Sequence, residues 1–266
     1  MGEKQPKVFA VIGDDARQQA AAEYLRGQGF RALGAEEVYK ADYVLLPMPM
    51  SADRAGFARL LRAAKPGALA FGGKVSAQAK AAADAAHIGL EDYLQREELA
   101  QFNAIPTAEG CLTLILQNRR RTVWGSPMLV LGYGRCAQAV AQRLAALNAK
   151  VTAAARSAGQ RALAMSHGLA AAPLAGLEQI LPGFEVVVNT VPAPVLGKEQ
   201  LQALRPGALV IDLASLPGGT DFEAAGALGI KAVHALSLPA RCAPVTAGEF
   251  VARAVLAMLQ ERGEVF

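Results

Sequence analysis

An α/β protein built on parallel sheets is the fold class this sequence predicts, and two observations carry it. Short apolar runs alternate with stretches of helical periodicity along the chain, which is the pattern of strands joined by crossover helices. The 266 residues are 53% hydrophobic, with abundant alanine, enough for two modest domains that each bury a core.

In the first half, strands are expected at 8–12, 43–47 and 68–71, with weaker ones near Arg31–Leu33 and 87–89. Helices should start near Ala16, Ala52 and Ser76. A helix over 107–117 follows and ends before the break Trp124-Gly125-Ser126-Pro127. In the second half, strands are expected at 128–131, 150–154, Val186–Asn189, 209–213 and 232–235. A last amphipathic helix, 247–260, should pack back on the first domain. The predicted division is therefore a domain over 1–105 that also takes in the helix to 262, a linking helix over 106–121, and a second domain over 122–246.

Composition excludes several classes. A net charge of +4, scattered along the chain, gives no argument for nucleic acid. The run Arg119-Arg120-Arg121 follows the helical stretch CLTLILQN, where cations suit a helix C-terminus. Cys111, Cys136 and Cys242 have neither metal-site spacing nor the pattern of a disulfide framework. No stretch of eighteen apolar residues or signal-peptide core occurs, so no membrane association is expected and a reducing cytoplasm is the default.

The chemistry starts at Met128-Leu129-Val130-Leu131, a buried-type strand that runs into Gly132-Tyr133-Gly134-Arg135-Cys136-Ala137 and then a helix. Gly132 permits the tight turn, Gly134 lets the backbone approach a pyrophosphate, and Ala137 allows the helix to pack close to the strand. The helix N-terminus supplies N–H groups for phosphate. Arg135 in the first turn opposes the helix dipole, which an anionic ligand would explain.

About twenty residues on, dinucleotide sites usually place an Asp or Glu on the ribose 2′-OH. Here the strand VTAAA ends in Arg156 and Ser157, with Arg161 a turn later. Guanidinium in place of carboxylate favours a 2′-phosphate, hence NADP over NAD. Asn189, Thr190 and Pro192 end a further strand and should border the nicotinamide ribose.

In open parallel sheets, ligands lie beyond the carboxyl ends of the strands. Asp212 and Ser215 lead into Gly218 and Gly219, two glycines that allow a close approach of backbone to ligand. Thr220 with Glu223, and Thr246 with Glu249, match capping boxes. In Gly13-Asp14-Asp15-Ala16-Arg17-Gln18, an Asp should cap the helix and place Arg17 in its first turn, where it suits a substrate carboxylate. Thr107 should cap the linking helix, with Glu109 as a candidate base. His87, His167 and His234 are isolated, and none forms a readable His–acid pair.

The segments VIGDDARQ, IPTAEG, LVLGYGR, VVNTVP, LVIDLASLPGGTDF and LPARCAPVTAG resemble the dipicolinate synthase A-subunit family over nearly the whole chain. The resemblance implies an N-terminal flavodoxin-like substrate domain and a C-terminal Rossmann NADP domain. It also implies oxidation of a dihydrodipicolinate-type lysine-pathway compound to pyridine-2,6-dicarboxylate, with a second, flavoprotein-like subunit. The setting would be the mother-cell cytoplasm of a sporulating bacterium, with homo-oligomers expected as well. The chain departs from the family at Leu236-Ser237-Leu238-Pro239-Ala240, where two glycines of a Pro-Gly-Leu-Pro-Gly segment are missing.

On this reading Arg17, Thr107 and Thr246 grip the two carboxylates, with Gly218 and Gly219 nearby. Asp212, Ser215 or Glu109 assists proton removal. Two alternatives remain, an NADP-dependent 2-hydroxyacid or shikimate-type dehydrogenase, and an NADP-binding subunit without turnover.

Overall fold

Residues 7–48 and 56–264 are described by a computed structural model of the chain. It divides into two compact units, Met1–Asn103 with Ala243–Phe266, and Ala104–Cys242.

The first unit holds a five-stranded parallel sheet of β1 (Val8–Val11), β2 (Arg31–Leu33), β3 (Tyr43–Leu45), β4 (Leu69–Gly72) and β5 (Gly89–Asp92), in the order β2-β1-β3-β4-β5. That is the flavodoxin-like order, whose direction reverses between β1 and β3. Helices α1 (Ala16–Gly27), α2 (Phe57–Ala63) and α3 (Ala77–Ala85) make the crossovers, with a short 3-10 helix, Ala35–Lys40, between β2 and β3. The start of the helix expected from Ala52 lies outside the described residues. The strand expected at 87–89 sits two residues later, because His87 takes a left-handed conformation (φ 55°) in the turn before it.

The C-terminal helix, Pro244–Glu261, packs against α1 in this unit. Its Gly248 lies so close to the Arg17 carbonyl that a Cβ there could not be accommodated. Small residues on both helices (Ala20 and Ala21 on one, Ala247 and Ala252 on the other) let the backbones approach, and all four are buried.

Helix α4 (Glu97–Asn118) corrects the expected start at Thr107. It runs through Pro106, which the sequence places at a helix start because proline suits a first turn. The buried stripe Leu99, Ala104, Ala108, Cys111 and Ile115 continues at helical spacing on both sides of the proline. Packing of that stripe overrides the local break.

The second unit carries β6 (Pro127–Leu131), β7 (Lys150–Ala155), β8 (Ala170–Pro173), β9 (Val186–Asn189), β10 (Leu209–Asp212) and β11 (Lys231–His234). Their order is β11-β10-β9-β6-β7-β8, all parallel, the Rossmann arrangement with its switch between β6 and β9. Strand β8 is one the sequence hid. It is an edge strand of three alanines and a proline, with little strand propensity. Helices α5 (Arg135–Ala146), α6 (Ala158–Ser166), α7 (Leu177–Ile180), α8 (Lys198–Gln202), α9 (Phe222–Ala227) and α10 (Leu238–Cys242) complete the unit. Beyond the end of α4, Arg119 forms an ion pair with Glu185 and bonds Ser126 Oγ at 3.1 Å.

Candidate nucleotide site and the two carboxyl edges

The glycine turn between β6 and α5 is shaped by its neighbours. Gly132 has φ +88°, and a Cβ there would lie 2.6 Å from Thr190 Oγ1. Thr190 is fixed in that place because its hydroxyl donates to the Leu131 carbonyl at 2.7 Å and its amide to the same oxygen at 3.0 Å. Tyr133 turns inward, 1% exposed, with its hydroxyl 2.9 Å from His167 Nδ1. Burial raises the phenol's pKa, so it stays protonated.

Gly134 is the N-cap of α5, with no side chain capping the helix and nothing within 4 Å of a Cβ built on it. Ala137 is fully buried and brings the helix close to the sheet. The N-terminus of α5 thus lacks a side-chain cap and carries exposed Arg135 in its first turn, the arrangement that receives a phosphate. Burial raises the Cys136 thiol, with Arg135 partly opposing it.

At the end of β7, Ser157 caps α6, its Oγ accepting from the Gln160 amide at 3.5 Å. Arg161 Nη1 donates to the carbonyls of Ala155 (2.9 Å) and Arg156 (2.8 Å). Arg161 therefore braces the strand end, where the sequence suggested a direct phosphate ligand. Arg156 is exposed and makes no hydrogen bond or ion pair through its side chain among the described residues.

Asn189 and Asp212, opposite each other in register at the ends of β9 and β10, are both fully buried. Asn189 Nδ2 donates to Asp212 Oδ1 at 2.9 Å and to the Val191 carbonyl at 3.1 Å, while its Oδ1 accepts from the Val191 amide. Asp212 also accepts from the amides of Ala214 (2.9 Å) and Gly219 (2.8 Å). Through these contacts the carboxylate anchors the loop after β10.

Gly219 has no room for a Cβ against Asn189 and the carbonyls of Val191 and Ala193. Gly218 (φ +89°) is packed near Asp212 and His234. The chain's own atoms leave no room for a side chain at Gly219 and hold Gly218 close to two side chains. His234 stacks on Phe222 and places Nε2 3.1 Å from the Ala214 carbonyl, so it too is engaged beneath the loop. Ser215 and Pro192 are exposed at the rim.

Asp221, not Thr220, caps α9, accepting from the Ala224 amide at 2.9 Å. Thr220 is buried, and its hydroxyl has no hydrogen-bond partner among the described residues. Thr246 is the third residue of a helix that starts at Pro244 without a side-chain cap, so its capping box is absent as well. Thr107 and Glu109 lie in mid-helix. Glu109 Oε1 sits 3.5 Å from Arg143 Nη2, and Arg143 lies eight residues into α5, about 12 Å along the axis from its N-terminal end.

The first unit presents a different edge. Gly13 (φ +118°) follows β1, and Gln18, buried, ties its Nε2 to the Ile12 carbonyl at 3.0 Å. Asp15 caps α1 by accepting the amides of Arg17 (2.9 Å) and Gln18 (3.2 Å). Arg17 Nη2 donates to Asp15 Oδ2 at 3.1 Å and to the Met48 carbonyl at 3.0 Å. The guanidinium is thus positioned by its own cap and by the chain after β3. Burial alone would raise the Asp15 carboxyl, but the guanidinium and the two amides outweigh it and hold the group below its usual range.

A second cation on this edge went unnoticed in the sequence. Lys74, exposed and left-handed (φ 57°), follows β4. Its amide and that of Val75 donate to Asp92 at 3.2 and 2.9 Å, and Asp92 takes Leu94 as well. The signal was the run Gly72-Gly73-Lys74 at a strand's carboxyl end; a non-glycine residue held left-handed there points to function.

Among the described residues, no group of three or more His, Cys, Asp or Glu side chains could hold a metal, and no helix is long and apolar enough to cross a membrane.

Residues 113–215 match the NAD-binding domain of D-isomer-specific 2-hydroxyacid dehydrogenases. The chain is 38% identical over 172 residues to the A subunit of dipicolinate synthase from Bacillus subtilis (strain 168), covering 65% of this chain and 58% of that protein's length. The crystal structure of the corresponding protein from Bacillus halodurans superposes with a TM-score of 0.86 at 29% identity, over 95% of this chain and 97% of that one. For the crystal structure of the Bacillus subtilis protein the values are 0.84 and 30%, over 97% of both chains. The second unit is thus a nicotinamide-dinucleotide-binding domain of the dehydrogenase kind.

Proposed function

The chain belongs to the dipicolinate synthase A-subunit family, and from that premise we propose that it is an oxidoreductase subunit forming pyridine-2,6-dicarboxylate from a dihydrodipicolinate-type intermediate, with NADP as coenzyme. The observation that carries this reading is the uncapped N-terminus of α5 behind Gly132 and Gly134, with outward-facing Arg156 at the end of the next strand.

The residues present fit the dinucleotide. Gly134 leaves space where any side chain would intrude, and no acidic residue stands between Lys150 and Arg161 to repel a 2′-phosphate. A bound nicotinamide coenzyme would supply the hydride acceptor. The α5 amides and Arg135 would hold the pyrophosphate, and Arg156 with the Ser157 hydroxyl would hold the 2′-phosphate. Arg161 keeps Arg156 in place through its backbone. Thr190 and the Asn189–Asp212 pair fix the loops that border the nicotinamide ribose, with Pro192 at the rim.

Converting a dihydropyridine into an aromatic ring is downhill, so the reaction asks more for positioning than for a strong base. We assign the two carboxylates to Arg17 and Lys74, the cations on the carboxyl edge of the first sheet. Of the acid–base candidates, Ser215 alone keeps an exposed hydroxyl near the strand ends. Glu109 is held by Arg143, and Asp212 is spent on the loop. The Bacillus subtilis relative is one subunit of a synthase, which supports a second chain, for which the resemblance names a flavoprotein-like partner. A homo-oligomeric state and a mother-cell cytoplasmic setting belong to the same proposal.

The test is to mix the chain with freshly generated lysine-pathway intermediate and NADP⁺, following the pyridine product and NADPH together, with and without the second subunit. Matched formation of both supports the proposal. Equal turnover with NAD⁺ overturns the coenzyme assignment, and no pyridine product under either condition overturns the activity.

A further inference from the structure

The switch point of the first sheet carries a cavity whose lining includes none of the residues assigned above to coenzyme or substrate. It measures about 600 Å³ and opens beside Ile12 and Gly13, which follow β1, and Leu46 and Pro47, which follow β3. These are the two strands between which the sheet order reverses, and in open parallel sheets the carboxyl end of that crevice is where ligands settle. The size suits a small organic molecule.

The walls specify its chemistry. One side is the 3-10 helix between β2 and β3, which contributes Val38 and Tyr39, and the other is α2, with Phe57 and Leu60. Most of the lining is therefore apolar. Tyr39 leaves 57% of its surface exposed, and the Lys40 ammonium lies 5.3 Å from its ring centroid. Such a ring offers a stacking surface.

Charge enters through two side chains, Glu36 and Arg59, both exposed and neither in an ion pair among the described residues. Arg59 Nη2 lies 3.8 Å from where a Cβ on Gly56 would be, so the guanidinium curls back over the start of its own helix. A guanidinium over an apolar, aromatic-walled cavity pairs best with an anionic group on a flat body.

We propose that this cavity is a binding site for an aromatic compound bearing one carboxylate or sulfonate, the ring lying against Tyr39 and Phe57 and the anion on Arg59. The site stands independently of the coenzyme chemistry assigned to the second unit.

The test uses the full chain and the fluorescent probe 8-anilinonaphthalene-1-sulfonate, an aromatic monoanion. Saturable binding should be displaced by 2-naphthoate, and displaced about tenfold less well by neutral 2-naphthamide, as expected for one lost charge-assisted contact. Arg59→Ala should weaken the probe by a similar factor. Ala35→Trp, at an exposed position of the rim, should abolish binding by filling the space. NADPH affinity and melting temperature in both variants report whether the fold is intact. Probe affinity unchanged in Ala35→Trp overturns the site, and equal displacement by naphthoate and naphthamide overturns the anion assignment.

Discussion

The two strand–turn–helix corners of this chain share a backbone plan and differ in what occupies the helix N-terminus. After β1, Asp15 fills that position with its own carboxylate and recruits Arg17 as a counter-ion. After β6, Gly134 leaves it empty, and Arg135 stands exposed in the first turn. A helix end whose amides already meet an internal anion does not offer those amides to a second one, while an uncapped end with added positive charge attracts one. Between two otherwise similar corners, the N-cap residue decides whether the helix amides are satisfied internally or left uncapped.

The same contrast extends to how each edge is held. Asp212 and Asp92 each accept three hydrogen bonds at a strand's carboxyl end, but Asp212 is fully buried and Asp92 only half-buried. Removing a buried acceptor strands its donors without water, so Asp212→Ala should cost about 3 kcal/mol. For Asp92→Ala, where water can replace the carboxylate, about 1 kcal/mol is expected. Chemical denaturation of both variants measures the pair, and equal losses would remove burial as the distinguishing factor.

Gly134→Asp transplants the cap of the first corner into the second. Because a Cβ there meets nothing within 4 Å, the fold should survive and gain up to about 1 kcal/mol from the new cap. Coenzyme affinity should fall by about a hundredfold, since a carboxylate would take the pyrophosphate's place and repel it. Calorimetry with NADPH separates the two effects, and a stabilised variant that still binds tightly would break the comparison.

Arg156 tests the strand beside that corner. Arg156→Ala should weaken NADPH by about tenfold, the worth of a charge-assisted contact, while NADH affinity stays within about twofold. A parallel loss for both coenzymes would show that the side chain does not read the 2′-phosphate.

Much of this contrast is legible in the order of residues alone. Gly132, Gly134 and Ala137 announce themselves because a strand, a tight turn and a helix each need a particular residue type there. Asp15 and Arg17 are recognisable for the same local reason. What escapes depends on contacts distant in sequence. Asp212 reads as an exposed strand-end acid until Asn189, the Gly219 amide and the Ala214 amide are seen to enclose it. Gly218 and Gly219 suggest a ligand until the chain itself fills the space. Thr107 looks like a cap because Pro106 suggests a helix start, yet the buried stripe from Leu99 to Ile115 carries the helix through. Lys74 is hidden because nothing local reveals that Asp92 pins its backbone.

The smallest effect tests the first corner's internal ion pair. Asp15→Asn keeps a capping oxygen but removes the charge that holds Arg17. The wild-type carboxyl titrates below its ordinary value in the folded chain, so the stability it contributes is complete above the unfolded value of about 3.9. That contribution is lost as pH falls through the lower folded value. Because the Asp15 side chain is 46% exposed, solvent screening limits the pair to about 0.5 kcal/mol. Wild type should therefore exceed Asp15→Asn by a small, constant margin from pH 7 down to about 5, and the margin should close below about pH 4. Melting curves across that range decide it. A margin that widened toward acid would mean the carboxyl is destabilised in the fold, and the first corner would then have the same appetite for positive charge unmet that the second has for negative.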